Sequence, residues 1–253
     1  MCGQFGFVFF SEKHINMANK CAMIGVLGTL MDKRGGHSWG FVSAEKDGSL
    51  FQEKGLGKFS EPSHRPDILG VATKSWMIGH TRFGTVGNKT IPNAHPLILK
   101  GIVGAHNGSI QNWKEMNEKY NLKYEVDSTH IFHHIRHELP LNELRGRGSI
   151  VFTKKESFGE IHLGKFNNGD LTVIGIYSSD KKPNVDAGEQ YDGFIWASTR
   201  EAAEAAVGIL GFKNNSVIFT VKDGECYYFK GGVMWINSEL KLDIKTPYYG
   251  TSG

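Results

Sequence analysis

The sequence predicts a single α+β domain in which strands outnumber helices. Short apolar runs bounded by glycine recur along the chain, which is typical of strands. Segments with helical spacing of apolar residues are few, and they are grouped rather than placed after every strand. No internal repeat or low-complexity linker divides the 253 residues, and 40% hydrophobic residues suffice for a sizeable core. We therefore predict one domain over residues 1–253, with a flexible tail from about residue 240.

The first part of the chain contains clear strand and helix patterns. Residues 3–10 predict a strand, and residues 16–31 predict a helix because apolar residues recur at helical spacing. The Asp-Gly pair at 47–48 separates two apolar runs and therefore predicts a hairpin. The runs at 74–83 and 97–108 each predict a strand that ends in a compact polar cluster followed by glycine.

The remaining elements follow from the same patterns. They are a loop and short helix at 59–69, helices at 111–120 and 128–138, strands at 148–153, 158–165 and 171–177, a strand from 193 followed by a helix capped by Ser198 or Thr199, and strands at 216–221 and 225–232.

Composition excludes several classes of function. The formal net charge is +3, and no basic block is present, so we expect neither a nucleic-acid nor a membrane partner. The three cysteines are widely and irregularly spaced, which argues against a disulfide framework. The N-terminus lacks a signal-peptide pattern, and no apolar run is long enough to span a bilayer. We expect a cytoplasmic location, where a free thiol persists.

Cys2 directly follows the initiator methionine. Removal of Met1 would give Cys2 a free α-amine with a pKa of about 7.7–8.0. That amine can accept the thiol proton, through a water molecule, so that one residue supplies both nucleophile and base. The alternative is that a cysteine stands here by chance.

Three further motifs carry polar groups that suit an amino-acid substrate. Arg82 in "GHTRFGTVG" offers a planar fork for a carboxylate, although it also fits a turn with a solvated arginine. The pair Asn107-Gly108 in "AHNGS" offers two donors to an oxyanion, although Asn-Gly is also a turn dipeptide. Asp127 in "EVDSTH" suits an ammonium group, and equally a helix N-cap. A substrate that uses all of these groups is glutamine.

The ordered set of motifs resembles the glutaminase domain of class II glutamine amidotransferases, a branch of the N-terminal-nucleophile hydrolases. The matching stretches are "MCGQFGF", "KRGGHSWG", "GHTRFGTVG", "NAHPL", "AHNGSIQNW" and "VDSTHI", in the family's order. They cover roughly the first 140 residues, and "GFIWASTREAAEAA" resembles a late strand and helix of that domain. One such motif is weak evidence, whereas the ordered set is specific.

The resemblance implies a four-layer αββα sandwich that converts glutamine to glutamate and ammonia, without a cofactor or metal. The roles it implies are Cys2 as nucleophile, Asn107 and Gly108 as oxyanion hole, and Arg82, Thr85, Asp127 and Arg34 as substrate-binding residues, with Arg34 resembling an arginine of the family's loop near the nucleophile.

The chain departs from the family pattern at three positions. Val86 replaces a common His, His37 replaces a common Asp, and Phe83 stands where Trp is common. The register around Asp127 also differs from the family's "SDTE" pattern. We therefore expect this chain to differ from the family more in glutamine affinity and loop movement than in its nucleophile.

The stretch "HIFHHIRH" supports a competing interpretation. Its histidines at positions 130, 133, 134 and 137 share one helix face, which is ligand geometry for zinc, although the Glu of HExxH is missing. The simpler interpretation is a polar face with packed imidazoles. His80, His95 and His106 lie inside the matching motifs, and we interpret them as loop-shaping residues rather than bases.

Three functions fit these observations. The first is a free-standing glutaminase that passes ammonia to a separate synthase chain. The second is a stand-alone amidohydrolase that cleaves a γ-glutamyl amide. The third is a degenerate binding or regulatory module, against which the intact Cys2, Asn107 and Gly108 argue. The sequence leaves the oligomeric state open.

Overall fold

The computed structural model describes residues 2–45, 47–61 and 66–248, which form thirteen strands and five α-helices. The strands are β1 (Gly3–Phe9), β2 (Ser38–Ala44), β3 (Leu50–Leu56), β4 (Trp76–Arg82), β5 (Leu97–Leu99), β6 (Ile102–Ile110), β7 (Gly146–Lys154), β8 (His162–Phe166), β9 (Thr172–Ile176), β10 (Gly193–Ala197), β11 (Ser216–Phe219), β12 (Glu225–Lys230) and β13 (Val233–Lys241). The helices are α1 (Met17–Met31), α2 (Ile68–Ala72), α3 (Trp113–Lys119), α4 (Thr129–Arg136) and α5 (Arg200–Ile209).

The strands form two antiparallel sheets. Sheet I has the order β11-β9-β10-β1-β4-β2-β3, and sheet II has the order β13-β12-β8-β7-β6-β5. Apolar side chains from both sheets, such as Ile78 and Val151, pack together between them. Helices α1, α2 and α5 cover the outer face of sheet I, and α3 and α4 cover that of sheet II. The layers are therefore helix, sheet, sheet, helix, which confirms the predicted α+β class and four-layer order.

Strand β1 lies at the centre of sheet I. It pairs with β4 on one side and β10 on the other, and all seven of its residues are buried. Phe5 and Phe7 point to the helical layer, and Val8 points to sheet II, as the two-residue period of a strand requires. A Cβ atom on Gly3 would lie 2.8 Å from Met31 Cβ, so only glycine fits there. The N-terminal strand is thus held firmly at the point where Cys2 precedes it.

The structure corrects several predicted boundaries. The single strand predicted at 97–108 is two strands, β5 and β6, joined by a tight turn in which Gly101 has a φ of +86°. The strand predicted at 158–165 begins only at His162, after Gly159 with a φ of +97°. Strand β13, at the edge of sheet II, was not predicted, because its apolar run at 233–236 is followed by mostly polar residues and gives no two-residue alternation. Within the predicted hairpin and short helix, residues 46 and 62–65 lie outside the described residues.

The chain after residue 240 packs against sheet II as far as it is described. Leu242 and Ile244 are buried, and the Lys245 N–H donates to the Leu144 carbonyl at 3.0 Å. The rest of the predicted flexible tail, residues 249–253, lies outside the described residues. Among the described helices, none has the length and apolarity that a bilayer span requires.

Candidate active site

The predicted nucleophile Cys2 lines a cavity of about 290 Å³ at one end of the two sheets. The Phe83 N–H donates to Cys2 Sγ at 3.3 Å, so the thiol lies against the end of β4. Burial raises the pKa of this thiol above its ordinary value. A thiol with a raised pKa is protonated at neutral pH, so attack by this sulfur requires a nearby proton acceptor. The residues that line the cavity are Cys2, Arg34, Phe83, Thr85, Asn107, Gly108, Ser109, Arg147, Gly148, Gly169 and Asp170.

Asn107 and Gly108, the predicted oxyanion hole, lie on β6 and line the same cavity as Cys2. The Asn107 Nδ2 donates one hydrogen bond to Ser198 Oγ at 3.0 Å, and an amide nitrogen carries a second donor. A Cβ atom on Gly108 would lie 2.0 Å from the Arg147 carbonyl oxygen on the paired strand β7, so this position requires glycine. The structure thus brings together the thiol and the two predicted donors.

Ser198 is a positioning residue that the sequence pattern did not identify. The pattern offered Ser198 or Thr199 as the cap of α5, and the structure assigns that cap to Thr199, whose hydroxyl accepts from the Ala202 N–H. Ser198 instead accepts from the Gln4 N–H at 2.9 Å as well as from Asn107. Its hydroxyl therefore ties β1, the end of β10 and β6 together at the site.

Arg34 follows the C-terminus of α1 and contacts the nucleophilic residue. Its Nε donates to the Cys2 carbonyl at 2.9 Å, and its Nη2 forms an ion pair with Asp170 at 2.7 Å. Asp170, which the sequence pattern did not identify, is positioned by the hydrogen bond from Ser149 Oγ to its carbonyl. This pairing explains how Arg34 reaches the nucleophile from a loop between α1 and β2.

The predicted glutamine-binding residues divide into two groups. Thr85 lines the cavity, whereas Arg82 and Asp127 are buried and do not line it. Arg82 donates to the carbonyls of Val86 and Asn88, and Asp127 accepts the Ile110 N–H at 2.7 Å. Asp127 does not cap α4, since the N-cap residue is Ser128. The two buried charges are near enough to the thiol to shift its pKa in opposite directions, Arg82 downward and Asp127 upward, with both effects smaller than that of burial.

Comparisons with known proteins find both sequence relatives and similar folds. No family model matches the chain. It is 26% identical over 208 residues to an amidophosphoribosyltransferase of Archaeoglobus fulgidus, which covers 79% of this chain and 45% of that protein. It is 35% identical over 120 residues to a glutamine–fructose-6-phosphate aminotransferase of Chlamydia abortus, covering 46% of this chain and 18% of that protein. The solved glutamine phosphoribosylpyrophosphate amidotransferase of B. subtilis superposes with a TM-score of 0.64 at 20% identity, covering 94% of this chain and 49% of that one.

The chain is homologous to class II glutamine amidotransferases. The solved structure, at 20% identity, supports the N-terminal-nucleophile hydrolase fold alone. The chain spans less than half the length of these curated relatives, so the activities of the whole enzymes do not follow from the likeness.

Two of the positions that depart from the amidotransferase pattern contact each other. The rings of His37 and Phe83 stack with centroids 4.6 Å apart, and the Gly84 N–H donates to His37 Nδ1 at 3.0 Å. Burial lowers the pKa of His37, which favours the neutral ring that this hydrogen bond requires. The third position, Val86, accepts from Arg82 through its backbone. Two of the departures, Phe83 and Val86, therefore lie in one segment beside the cavity, residues 83–88, and the third, His37, contacts that segment.

The histidines of α4 pack against neighbouring side chains. His130 and His134 are buried, and burial lowers the pKa of His130 to about 4. Tyr124 contacts the rings of His130 and His133. Within residues 2–45, 47–61 and 66–248, no group of three or more His, Cys, Asp or Glu side chains has the arrangement of a metal site. The described contacts are those of packed imidazoles on a helix face.

Proposed function

We propose that this chain hydrolyses the side-chain amide of glutamine to glutamate and ammonia through a thioester on Cys2. The observation that carries this proposal is the shared cavity of the Cys2 thiol, the Asn107 amide and Gly108. Homology to class II glutamine amidotransferases supports the same chemistry.

The reaction begins with the removal of Met1, which leaves a free α-amine on Cys2. The amine accepts the thiol proton, and Sγ attacks the amide carbon, so that a C–S bond forms and the carbonyl oxygen becomes an oxyanion. Asn107 Nδ2 and the Gly108 N–H stabilise that oxygen. The C–N bond then breaks as the α-ammonium returns its proton to the departing nitrogen, which leaves as ammonia. Water hydrolyses the thioester to glutamate and regenerates the thiol.

The glutamyl end of the substrate lies at the Thr85 side of the cavity in this proposal. Arg82 and Thr85 bind the α-carboxylate, and Asp127 binds the α-ammonium group. Since Arg82 donates to carbonyls of residues 86 and 88 in the described structure, carboxylate binding requires the 83–88 segment to shift. Arg34 holds the Cys2 carbonyl and thereby orients the nucleophile.

The fate of the ammonia forms the second part of the proposal. The relatives are an amidophosphoribosyltransferase and a glutamine–fructose-6-phosphate aminotransferase, and we propose that this chain supplies ammonia to a separate synthase subunit in the cytoplasm. An alternative is a stand-alone γ-glutamyl amidohydrolase of the same fold. The exposed arginine Arg147 in the cavity favours that alternative, because glutamine's leaving group carries no negative charge.

The test combines intact mass with turnover. We expect the purified chain to lack Met1 and to release glutamate from glutamine, and we expect Cys2→Ala to abolish the release. Cys21→Ala, on α1 and away from the cavity, is the matched control and should keep full activity. Retention of Met1, or unchanged turnover in Cys2→Ala, contradicts the mechanism. Far faster turnover of γ-glutamyl peptides than of glutamine supports the amidohydrolase, whereas stimulation of glutamine turnover by a co-purifying synthase supports the ammonia-supplying subunit.

A further inference from the structure

The cavity has two ends on opposite sides of β6. The Ile110 N–H at the end of β6 turns away from β7 and donates to Asp127, so Asp127 lies on the side of β6 that faces away from β7. The 83–88 segment reaches the same side, because a Cβ atom on Gly87 would lie 2.6 Å from the Glu125 carbonyl oxygen. The groups that the proposed function assigns to the glutamyl part therefore lie on this side of β6, with Thr85 lining the cavity and Asp127 buried behind it.

The opposite end is formed by β7 and the turn after β8. Gly148 of β7 pairs with Gly108 of β6 on one side and with Phe166 of β8 on the other. A Cβ atom on Gly169 would lie 1.9 Å from the Gly148 carbonyl oxygen, so the 167–170 turn packs directly on β7. Asn107 and Gly108 lie between the two ends. A substrate whose carbonyl oxygen meets these two residues thus directs its leaving amine towards β7.

Arg147 is the side chain that lines this second end without a partner. Glycines flank it at 146 and 148, and neither position has space for a Cβ atom. Its guanidinium forms no hydrogen bond or ion pair with any residue of the described ranges, whereas the neighbouring Asp170 carboxylate is paired with Arg34. A free guanidinium in a small cavity is a binding group for a carboxylate.

We propose that Arg147 binds an anionic group on the leaving-amine part of the substrate. This selects the amidohydrolase alternative of the proposed function over the ammonia-supplying subunit, and makes the preferred substrate a γ-glutamyl amide of an amino acid or peptide with a free carboxylate. This inference rests on the proposed Cys2 chemistry and names its substrate class. Arg147 acts here as a specificity-determining residue, while Cys2, Asn107 and Gly108 perform the bond cleavage. The cavity, close to the lower limit of roughly 300–1,000 Å³ for small-ligand pockets, restricts the leaving group to a small one.

The experiment compares two substrates that differ by one charge, γ-glutamylglycine and γ-glutamylglycinamide. We expect the wild-type chain to prefer γ-glutamylglycine at least tenfold in kcat/KM, as a hydrogen bond to a charged group predicts. Arg147→Gln should reduce that preference to less than twofold, and Arg147→Lys should retain part of it. Arg200→Gln is the matched control, because Arg200 is exposed on α5 and pairs with Glu204, and it should keep the wild-type preference. A wild-type ratio near one, or an unchanged ratio in Arg147→Gln, overturns the inference.

Binding to the Cys2→Ala variant separates this inference from the proposed chemistry. Calorimetric titration should show at least tenfold tighter binding of γ-glutamylglycine than of γ-glutamylglycinamide, and this difference should vanish in Cys2→Ala/Arg147→Gln. If the wild-type chain hydrolyses neither glutamine nor the two γ-glutamyl amides, the proposed function fails, and the titration still decides the role of Arg147. Equal binding of the two ligands, or binding of neither, overturns the inference.

Discussion

The two walls that border the nucleophile are held in different ways. The strand wall consists of residues 2–4, Asn107, Gly108 and Ser198, and it is built from three buried strands that share the Ser198 hydroxyl. The loop wall consists of residues 83–88, and its Phe83 side chain is 44% exposed.

Hydrogen bonds to side chains, rather than strand pairing, hold the loop wall. Arg82 donates to the backbone carbonyls of residues 86 and 88, and His37 accepts from the Gly84 N–H. A wall of paired strands holds reacting groups in fixed positions, while a wall held by a few side chains can move when substrate binds. Under the proposed function, the cavity combines a rigid reaction centre with an adjustable substrate end. Two departures from the amidotransferase pattern, Phe83 and Val86, lie in the loop wall, and the third, His37, contacts it.

Removal of the Asn107 amide should produce the largest effect. We expect Asn107→Ala to lower kcat for the favoured amide about 10²–10³-fold, because a preorganised donor to the oxyanion is lost. Steady-state kinetics measure the change. Asn214→Ala, on an exposed turn before β11, is the control and should match wild type. A loss below about fivefold in Asn107→Ala would remove Asn107 from the oxyanion hole.

Buried histidines beside the strand wall make the stability of the folded chain depend on pH. His80 and His95 lie with ring centroids 4.4 Å apart, burial lowers the pKa of His80 to about 3, and burial also lowers that of His95. His80 stays neutral in the folded chain at pH 5 but becomes protonated in the unfolded chain below about pH 6.5. The free energy of unfolding should therefore fall as pH drops below 6.5, by up to about 2 kcal/mol for His80 between pH 6.5 and 5, and His95 acts in the same direction.

Urea unfolding at pH 7.5, 6.5 and 5.0 measures this dependence. His80→Asn should reduce the slope, while His14→Gln, at an exposed position, should keep it. The same free energy of unfolding at pH 7.5 and 5.0 would contradict neutral burial of the two rings.

Within the strand wall, loss of the Ser198 hydroxyl should lower kcat less than loss of the Asn107 amide does. We expect Ser198→Ala to lower kcat about tenfold with less change in KM, since Asn107 keeps its amide but loses the group that orients it. Ser198→Thr should restore much of the rate. The adjacent variant Thr199→Val should cost about 1 kcal/mol of stability by removing the α5 cap while leaving kcat intact. Equal kcat in Ser198→Ala and wild type would show that the strands alone orient Asn107.

The sequence predicts the groups that the proposed mechanism places in the strand wall, but not the residues that support them. Cys2 and the Asn107-Gly108 pair stand inside short motifs, so local spacing is sufficient to predict them as site residues. Ser198 contacts Gln4 across 194 positions, and Asp170 contacts Arg34 across 136. Such contacts arise from the order of strands in two stacked sheets, which residue spacing does not encode. The same reason applies to Arg147, whose position beside the nucleophile depends on the pairing of β7 with β6.

Loss of the His37 side chain, which holds the loop wall, should have the smallest effect on activity and give the clearest contrast with the strand wall. We expect His37→Ala to raise KM about three- to fivefold with a smaller change in kcat, because the Gly84 N–H loses its acceptor and Phe83 loses its stacking partner, so that the segment carrying Thr85 is less ordered. His37→Asn, whose side-chain oxygen can replace Nδ1 as acceptor, should recover part of the affinity. His14→Ala controls for the loss of a surface imidazole. If His37→Ala instead lowers kcat as strongly as Ser198→Ala does, the two walls act as one unit and the loop is part of the rigid reaction centre.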